Sequence, residues 1–197
     1  MKTIIHGTRN FGYALIDQSE KDPKFLTPKF LPGITAMTIE VEEKTTPVYA
    51  DNETFGFLHG AKVRTAEATV LHITEDYADA CLGMKKHQNG MLTDTGEKVT
   101  HCIFFESTET DGETGAETPT LHYLYACLAT EPKVELQTDG EEVEAGELVI
   151  PYTCRESAIA LDQEGAKVQY AKIVRTSANA TLYDTFKNKV LLPTDLV

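Results

Sequence analysis

The sequence predicts a mainly β protein with one short α-helix, and three observations carry that reading. Several segments alternate apolar and polar residues with a period of two, as half-buried strands do. One segment, Thr120 to Leu128, is apolar on both faces, which suits a central strand. Helical signals converge at a single place, about Thr74 to Leu82. The chain has 197 residues, enough for one sizeable sandwich domain. Its hydrophobic content of 41% supplies a core, and with no tryptophan the aromatic part of that core falls to Phe and Tyr.

The first ten residues, Met1 to Asn10, are polar and lack periodicity, so they read as an N-terminal arm ahead of a single domain over residues 11–197. Phe11 to Asp17 reads as the first strand. Pro23, Pro28, Pro32 and Gly33 then mark a turn-rich stretch. In Ile34 to Glu42, Met37, Ile39 and Val41 form the more apolar face of a strand. Residues 43–60 are irregular, with Pro47, Gly56 and Gly60, and read as an extended loop. Val48, Tyr49, Phe55 and Phe57 give that loop apolar anchors that must rest on the domain or on a neighbouring subunit.

Val63 to His72 follows as a strand with Ala66, Ala68 and Val70 on one side. Thr74 is placed to cap the helix, Glu75 and Asp76 sit at its positive end, and Ile73, Tyr77, Ala80, Cys81 and Met84 form its apolar stripe. Gly83 is placed to end it. After a turn at Asn89-Gly90, strands are expected at Val99 to Glu106, Pro119 to Ala129, Lys133 to Thr138, Glu147 to Arg155 and Lys167 to Arg175. Glu106 to Glu117 reads as an acidic loop made flexible by Gly112 and Gly115, and Asp139 to Glu147 as a second acidic turn. The C-terminal segment, 179–197, is expected to hold a helical turn over Asn179 to Phe186 and a last strand at Val190-Leu191-Leu192.

Chemistry is hard to place. Phosphate-binding glycine loops, nucleophile elbows and zinc-protease motifs are absent. His72, His101 and His122 lie on expected strands, where ordinary half-buried histidines explain them. Cys81, Cys102, Cys127 and Cys154 are widely spread among apolar neighbours and read as buried thiols. Paired acids such as Glu42-Glu43 and Glu141-Glu142 lack the Trp platforms that carbohydrate-active sandwiches lean on. No cofactor, metal or catalytic residue is assigned. With 18 basic and 31 acidic side chains the chain carries −13, which disfavours gripping nucleic acid, since that is driven by Lys and Arg displacing counterions. No run approaches the ~20 apolar residues of a membrane span, and no signal region follows Met1-Lys2, so synthesis and assembly are expected in the cytoplasm.

A set of short motifs in a fixed order carries a family resemblance: Phe11-Gly12-Tyr13-Ala14-Leu15, Tyr49-Ala50-Asp51, Cys81-Leu82-Gly83, Asn89-Gly90, Leu121-His122-Tyr123-Leu124-Tyr125, Glu131-Pro132 and Thr138-Asp139-Gly140. In this order the chain resembles the major tail protein of long, non-contractile-tailed bacteriophages. The resemblance implies two packed antiparallel sheets flanked by one helix, and a structural virion protein rather than an enzyme. It implies hexameric rings stacked into a tail tube through which double-stranded DNA passes without specific binding. Implied partners are further copies of the chain and the tape-measure, tail-tip and tail-terminator proteins. On that reading Val48, Tyr49, Asp51, Phe55 and Phe57 are expected at inter-subunit contacts. Glu106, Glu109, Asp111, Glu113 and Glu117 are expected in an acidic loop or facing the lumen. The alternatives are the tube of a contractile tail or related secretion system and, from a different class, a carbohydrate-binding or hydrolytic β-sandwich; a host β-rich protein is the blandest reading.

Overall fold

A computed structural model describes residues 2–19, 21–135 and 145–195. Its strands are β1 (Thr3–Asp17), β2 (Lys24–Phe25), β3 (Lys29–Phe30), β4 (Ile34–Ala50), β5 (Glu53–Val70), β6 (Met84–Lys86), β7 (Leu92–Asp94), β8 (His101–Asp111), β9 (Glu117–Ala129), β10 (Lys133–Glu135), β11 (Glu147–Cys154) and β12 (Tyr170–Val174). The helices are α1 (Glu75–Cys81) and α2 (Ala180–Asp184), with 3₁₀ turns at Thr185–Lys187 and Pro193–Asp195. The chain is mainly β, as the sequence predicts. One large antiparallel sheet has the order β2-β1-β8-β9-β11-β5-β4, and a small second sheet is the β6-β7 hairpin.

The large sheet is curled rather than flat. β1 and β4 stand near opposite ends of the strand order, yet they lie against each other. The curl encloses one core: Phe11 and Tyr13 of β1, Ile103 and Phe105 of β8, Ala66, Ala68 and Val70 of β5, and Ile150 and Tyr152 of β11. Helix α1 closes this core with Tyr77, Ala78 and Cys81, all buried. Its N-cap is the expected one, with the Thr74 hydroxyl accepting from the Tyr77 backbone N–H at 3.3 Å. Gly83 takes φ +73 just beyond it, the left-handed conformation that ends helices.

The opposite face of β8 and β9 supports a second core. Cys102, Phe104, Leu121, Tyr123 and Tyr125 pack there against Tyr183, Phe186, Val190 and Leu191 of the C-terminal segment. This double coverage is why Thr120 to Leu128 is apolar throughout. Four expectations are corrected. The acidic loop expected over Glu106 to Glu117 is strand at its start, because β8 runs to Asp111, and only residues 112–116 form the turn into β9. Residues 3–10 are not irregular: they form the first half of β1, paired with β8 from Thr3↔Asp111 onward, with register shifts near Gly7 and Asn10, both at positive φ. Val190-Leu191-Leu192 is no strand; Val190 and Leu191 pack as coil. Residues 43–60 are no loop but the outer half of the β4–β5 hairpin. The end of the expected strand at Thr138, the Thr138-Asp139-Gly140 turn and the acidic turn from Asp139 up to residue 144 lie outside the described residues.

Gly12 shows how tightly the two faces meet. A Cβ there would stand 2.6 Å from the Lys29 carbonyl oxygen, and closer still to the Phe104 ring. Replacing Gly12 by Ala is therefore expected to lower unfolding free energy by roughly 1–3 kcal/mol through overpacking. Urea denaturation with an unchanged m-value would report it; an unaltered midpoint would show that β3 moves aside at no cost.

Candidate assembly surface

β4 and β5 pair from Ile34↔Val70 to Ala50↔Glu53. The inner half is held by the core and by β11, which pairs β5 from Val70 to Arg64. Among the described strands, the outer half is paired only within the hairpin itself. It closes through Asp51 and Asn52, at φ +50 and +61, so both central residues of the two-residue turn are left-handed, as a type I′ hairpin requires. Aspartate and asparagine tolerate that conformation better than other non-glycine residues.

This outer half is apolar and bare. Phe55 is 81% exposed, Tyr49 69%, Leu58 64% and Phe57 61%. Val48 is half-buried and Asp51 is exposed in the turn. The five sequence-predicted contact residues thus gather within one hairpin tip. Leu58 belongs with them and was missed, because the apparent loop concealed which residues share a face. Pro47↔Phe57 and Ala50↔Glu53 are cross-strand pairs, which places Pro47, Glu53, Phe55 and Phe57 on one side. Val48↔Gly56 and Thr46↔Leu58 fall on the other. Both sides therefore present apolar groups to solvent, and burial of such groups is worth roughly 25 cal/mol per Å². Ile4 and Ile5, on the outer part of β1, are also exposed.

The acidic residues separate into two groups. Glu106, expected in a loop, lies in β8 and is 5% exposed. The Tyr183 hydroxyl donates to it at 2.7 Å, Asn10 Nδ2 donates to its other oxygen, and Arg9 Nε lies 3.5 Å away. It ties β1 to the C-terminal segment. Glu109 accepts from Lys172 Nζ at 2.7 Å, which with the other hydrogen bonds holds its carboxyl below the usual range. Asp111 accepts from the Glu113 backbone N–H and shapes the turn that follows β8. Glu113 and Glu117 are exposed. A further exposed set, Glu40 and Glu67 with Thr38, lines a shallow trough on the outer face of β4, β5 and β11.

Burial holds His101, His122 and Cys81 neutral. His101 donates from Nδ1 to the Val99 carbonyl at 2.8 Å and accepts at Nε2 from the Tyr77 hydroxyl, itself 2.7 Å from the Tyr152 hydroxyl. Burial pushes His101 down to about 4. His122 bridges Ser107 Oγ and the Tyr170 hydroxyl, each at 2.8 Å, and lies stacked on Phe105. Burial, with the Lys172 charge, pushes it down to about 4 as well. The Cys81 thiol is raised to about 12 by burial, far from a nucleophile's range. Among the described residues, no group of three His, Cys, Asp or Glu is placed to hold a metal ion, and no helix is long and apolar enough to cross a membrane.

What fold and surface define is a protein whose polar groups fasten its own strands and whose most exposed large apolar groups gather on a projecting hairpin, the profile of a structural subunit. A family model for phage tail tube proteins matches residues 1–196. The chain belongs to that family, and its role is a structural one in the phage tail. Comparison with curated proteins returned no match.

Both histidines bind protons less well folded than unfolded, so between pH 6.5 and about 4 the unfolded chain takes up more protons. Their contribution to stability is complete above pH 6.5 and is lost as pH falls through that window. Denaturant titrations should show the decline, and His122→Gln should make it shallower; an identical pH profile for the variant would remove His122 from the account.

Proposed function

We propose that this chain assembles as hexameric rings that stack into the tail tube of a long-tailed phage, without catalysis, and that the hairpin tip makes contacts between copies. The observation that carries this reading is the bare, two-sided apolar tip. A monomeric soluble protein gains nothing by exposing four large apolar side chains on one projection, whereas an assembling subunit buries them. The outer edge of β4, hydrogen-bonded to no described strand, supports it too. A long free edge invites another strand and is left open where a neighbour covers it. The conduit carries DNA past the subunits without holding it. Six copies at −13 each bring −78 to a ring, and a wall of that sign repels phosphates. Glu113 and Glu117 at the β8–β9 turn, and Glu40 and Glu67 on the outer sheet face, are exposed and suited to such a wall. Partners on this reading are further copies of the chain together with the tape-measure, tail-tip and tail-terminator proteins, assembling in the host cytoplasm.

Negative-stain microscopy and solution mass over a concentration series test the assembly. Wild-type protein is expected to give hollow tubes of uniform bore, and a chain with residues 45–58 replaced by a short turn is expected to remain a folded monomer. Tubes formed as readily by the shortened chain would overturn the contact assignment. Lysines at Glu40 and Glu67, or separately at Glu113 and Glu117, are expected to leave tubes intact and to slow DNA delivery only in the set that lines the bore. Unchanged infectivity for both sets would refute an electrostatic role for either.

A further inference from the structure

The large sheet has a narrow joint. β1, β8, β9 and β12 lie on one side of it and β11, β5 and β4 on the other, and β9 meets β11 over three residue pairs, Tyr152↔Ala129, Thr153↔Leu128 and Cys154↔Cys127. Cys154 is the last residue of β11, so the cysteine pair is the end rung of the joint. Hydrogen bonds from Arg155 N to the Ala126 carbonyl and from Thr130 N to the Pro151 carbonyl, each 2.9 Å, lie on either side of it. Bonded and non-bonded pairs alternate along an antiparallel ladder, which makes Cys154–Cys127 a non-hydrogen-bonded pair. Cα atoms of such pairs stand about 4.5 Å apart with their side chains drawn together. That is within the roughly 4.4–6.8 Å that a disulfide spans.

The two Sγ atoms are 2.7 Å apart, and both residues are free thiols. Both belong to the core enclosed by the curled sheet. Cys81 sits apart from them in α1, and Cys102 packs in the second core on the opposite face of the sheet. On its other side Cys154 pairs with Arg64 of β5, whose Nε and Nη1 are buried without a hydrogen-bond partner. Burial raises the Cys127 thiol well above its ordinary value, and the Arg64 charge works against that rise. A cation beside the pair favours the thiolate, the form in which cysteine reacts. Cys127 is fully buried, whereas Cys154 is 3% exposed at a strand end, so an oxidant from solvent meets Cys154 first.

We propose that Cys127 and Cys154 are a redox pair: thiols in reducing surroundings, and a cross-strand disulfide tying β9 to β11 once the tail meets an oxidising medium outside the cell. Virion surfaces are among the places where disulfides persist. Hydrogen peroxide is an oxidant small enough to reach the strand end. The Cys154 sulfur attacks one peroxide oxygen and the O–O bond breaks. The sulfur keeps a hydroxyl as a sulfenic acid, and the departing hydroxide takes the thiol proton as water. The Cys127 sulfur then attacks that sulfur, the S–OH bond breaks, and its hydroxide leaves with the Cys127 proton as a second water. The two thiols lose two electrons and two protons, and one peroxide becomes two waters. The new bond covers the end of a joint that three residue pairs otherwise carry, so the part of the sheet bearing the β4–β5 hairpin is fixed to the part bearing the second core. The pair acts within one chain and does not depend on how copies assemble.

The test treats the folded, full-length chain with dilute hydrogen peroxide after removal of reductant, then unfolds, alkylates and digests it for mass spectrometry. The expected product is a chain about 2 Da lighter, with the Cys127 and Cys154 peptides linked and Cys81 and Cys102 alkylated. In urea the oxidised chain is expected to unfold at a higher midpoint than the reduced one, with about tenfold less unfolded protein, or lower still, at equal urea. Dithiothreitol is expected to reverse the shift. Cys154→Ala is expected to lose the peroxide-induced shift and Cys81→Ala to keep it, each measured against its own reduced form. Four alkylated cysteines after peroxide, a sulfinic or sulfonic acid at either residue in place of the link, or linkage through Cys81 or Cys102 would overturn the pair. A linked chain with an unchanged midpoint would overturn its part in fastening the joint.

Discussion

Most of the molecule's behaviour depends on one antiparallel pairing, that of β4 with β5. The ladder is continuous in kind but not in surroundings. Its inner residues, Ala66, Ala68 and Val70 opposite Ile39, Met37 and Ile34, lie over the core and are fixed by it. Its outer residues pair with each other and, among the described strands, with no third strand. A two-stranded ribbon alone is marginal in water, so the tip is held out by the rigidity of its base. The tight core around Tyr77, Tyr152 and His101 therefore serves the surface, because it anchors the strands from which the tip projects.

The same division explains what was legible in the sequence. Where burial of a strand face was strong, the pattern survived, and the expected positions of the β5 base, β9, β11 and helix α1 agree closely with the structure, whereas β8 runs on to Asp111 through the first half of the expected acidic loop. Residues 43–60 gave no two-residue period because both sides of the hairpin tip are apolar. The ladder shifts register between Glu43 and Thr45 and again between Val48 and Tyr49, which disrupts the alternation further. Asp51-Asn52 is also a weaker turn signal than the glycine-containing pairs usually found in such hairpins. The N-terminal residues were misread for another reason: their strand is imposed by β8, more than ninety positions along the chain, and not by local composition.

The candidate acids show the same limit. Glu106 looks, in sequence, like the first of an acidic run. Its burial depends on Arg9, Asn10 and Tyr183, which the fold gathers from both ends of the chain. No local pattern could distinguish it from Glu113, which stays in solvent. Arg64 is the converse. In sequence it only begins an apolar strand face, and the fold leaves its Nε and Nη1 buried without a hydrogen-bond partner.

Charge gives the arrangement its last constraint. Copies carrying −13 each repel one another, and screening over a Debye length of about 8 Å in physiological salt weakens this repulsion without removing it at contact. An assembly of such copies needs attraction that is short-ranged and largely independent of net charge, which apolar burial supplies. Phe55, Phe57, Tyr49 and Leu58 are therefore suited to the contacts because they are uncharged, and the carboxylates are left to the surfaces that remain wet. On the proposed assembly, the aromatic tip and the acidic faces answer one requirement, that the subunits adhere to each other while nothing adheres to the surfaces they leave exposed.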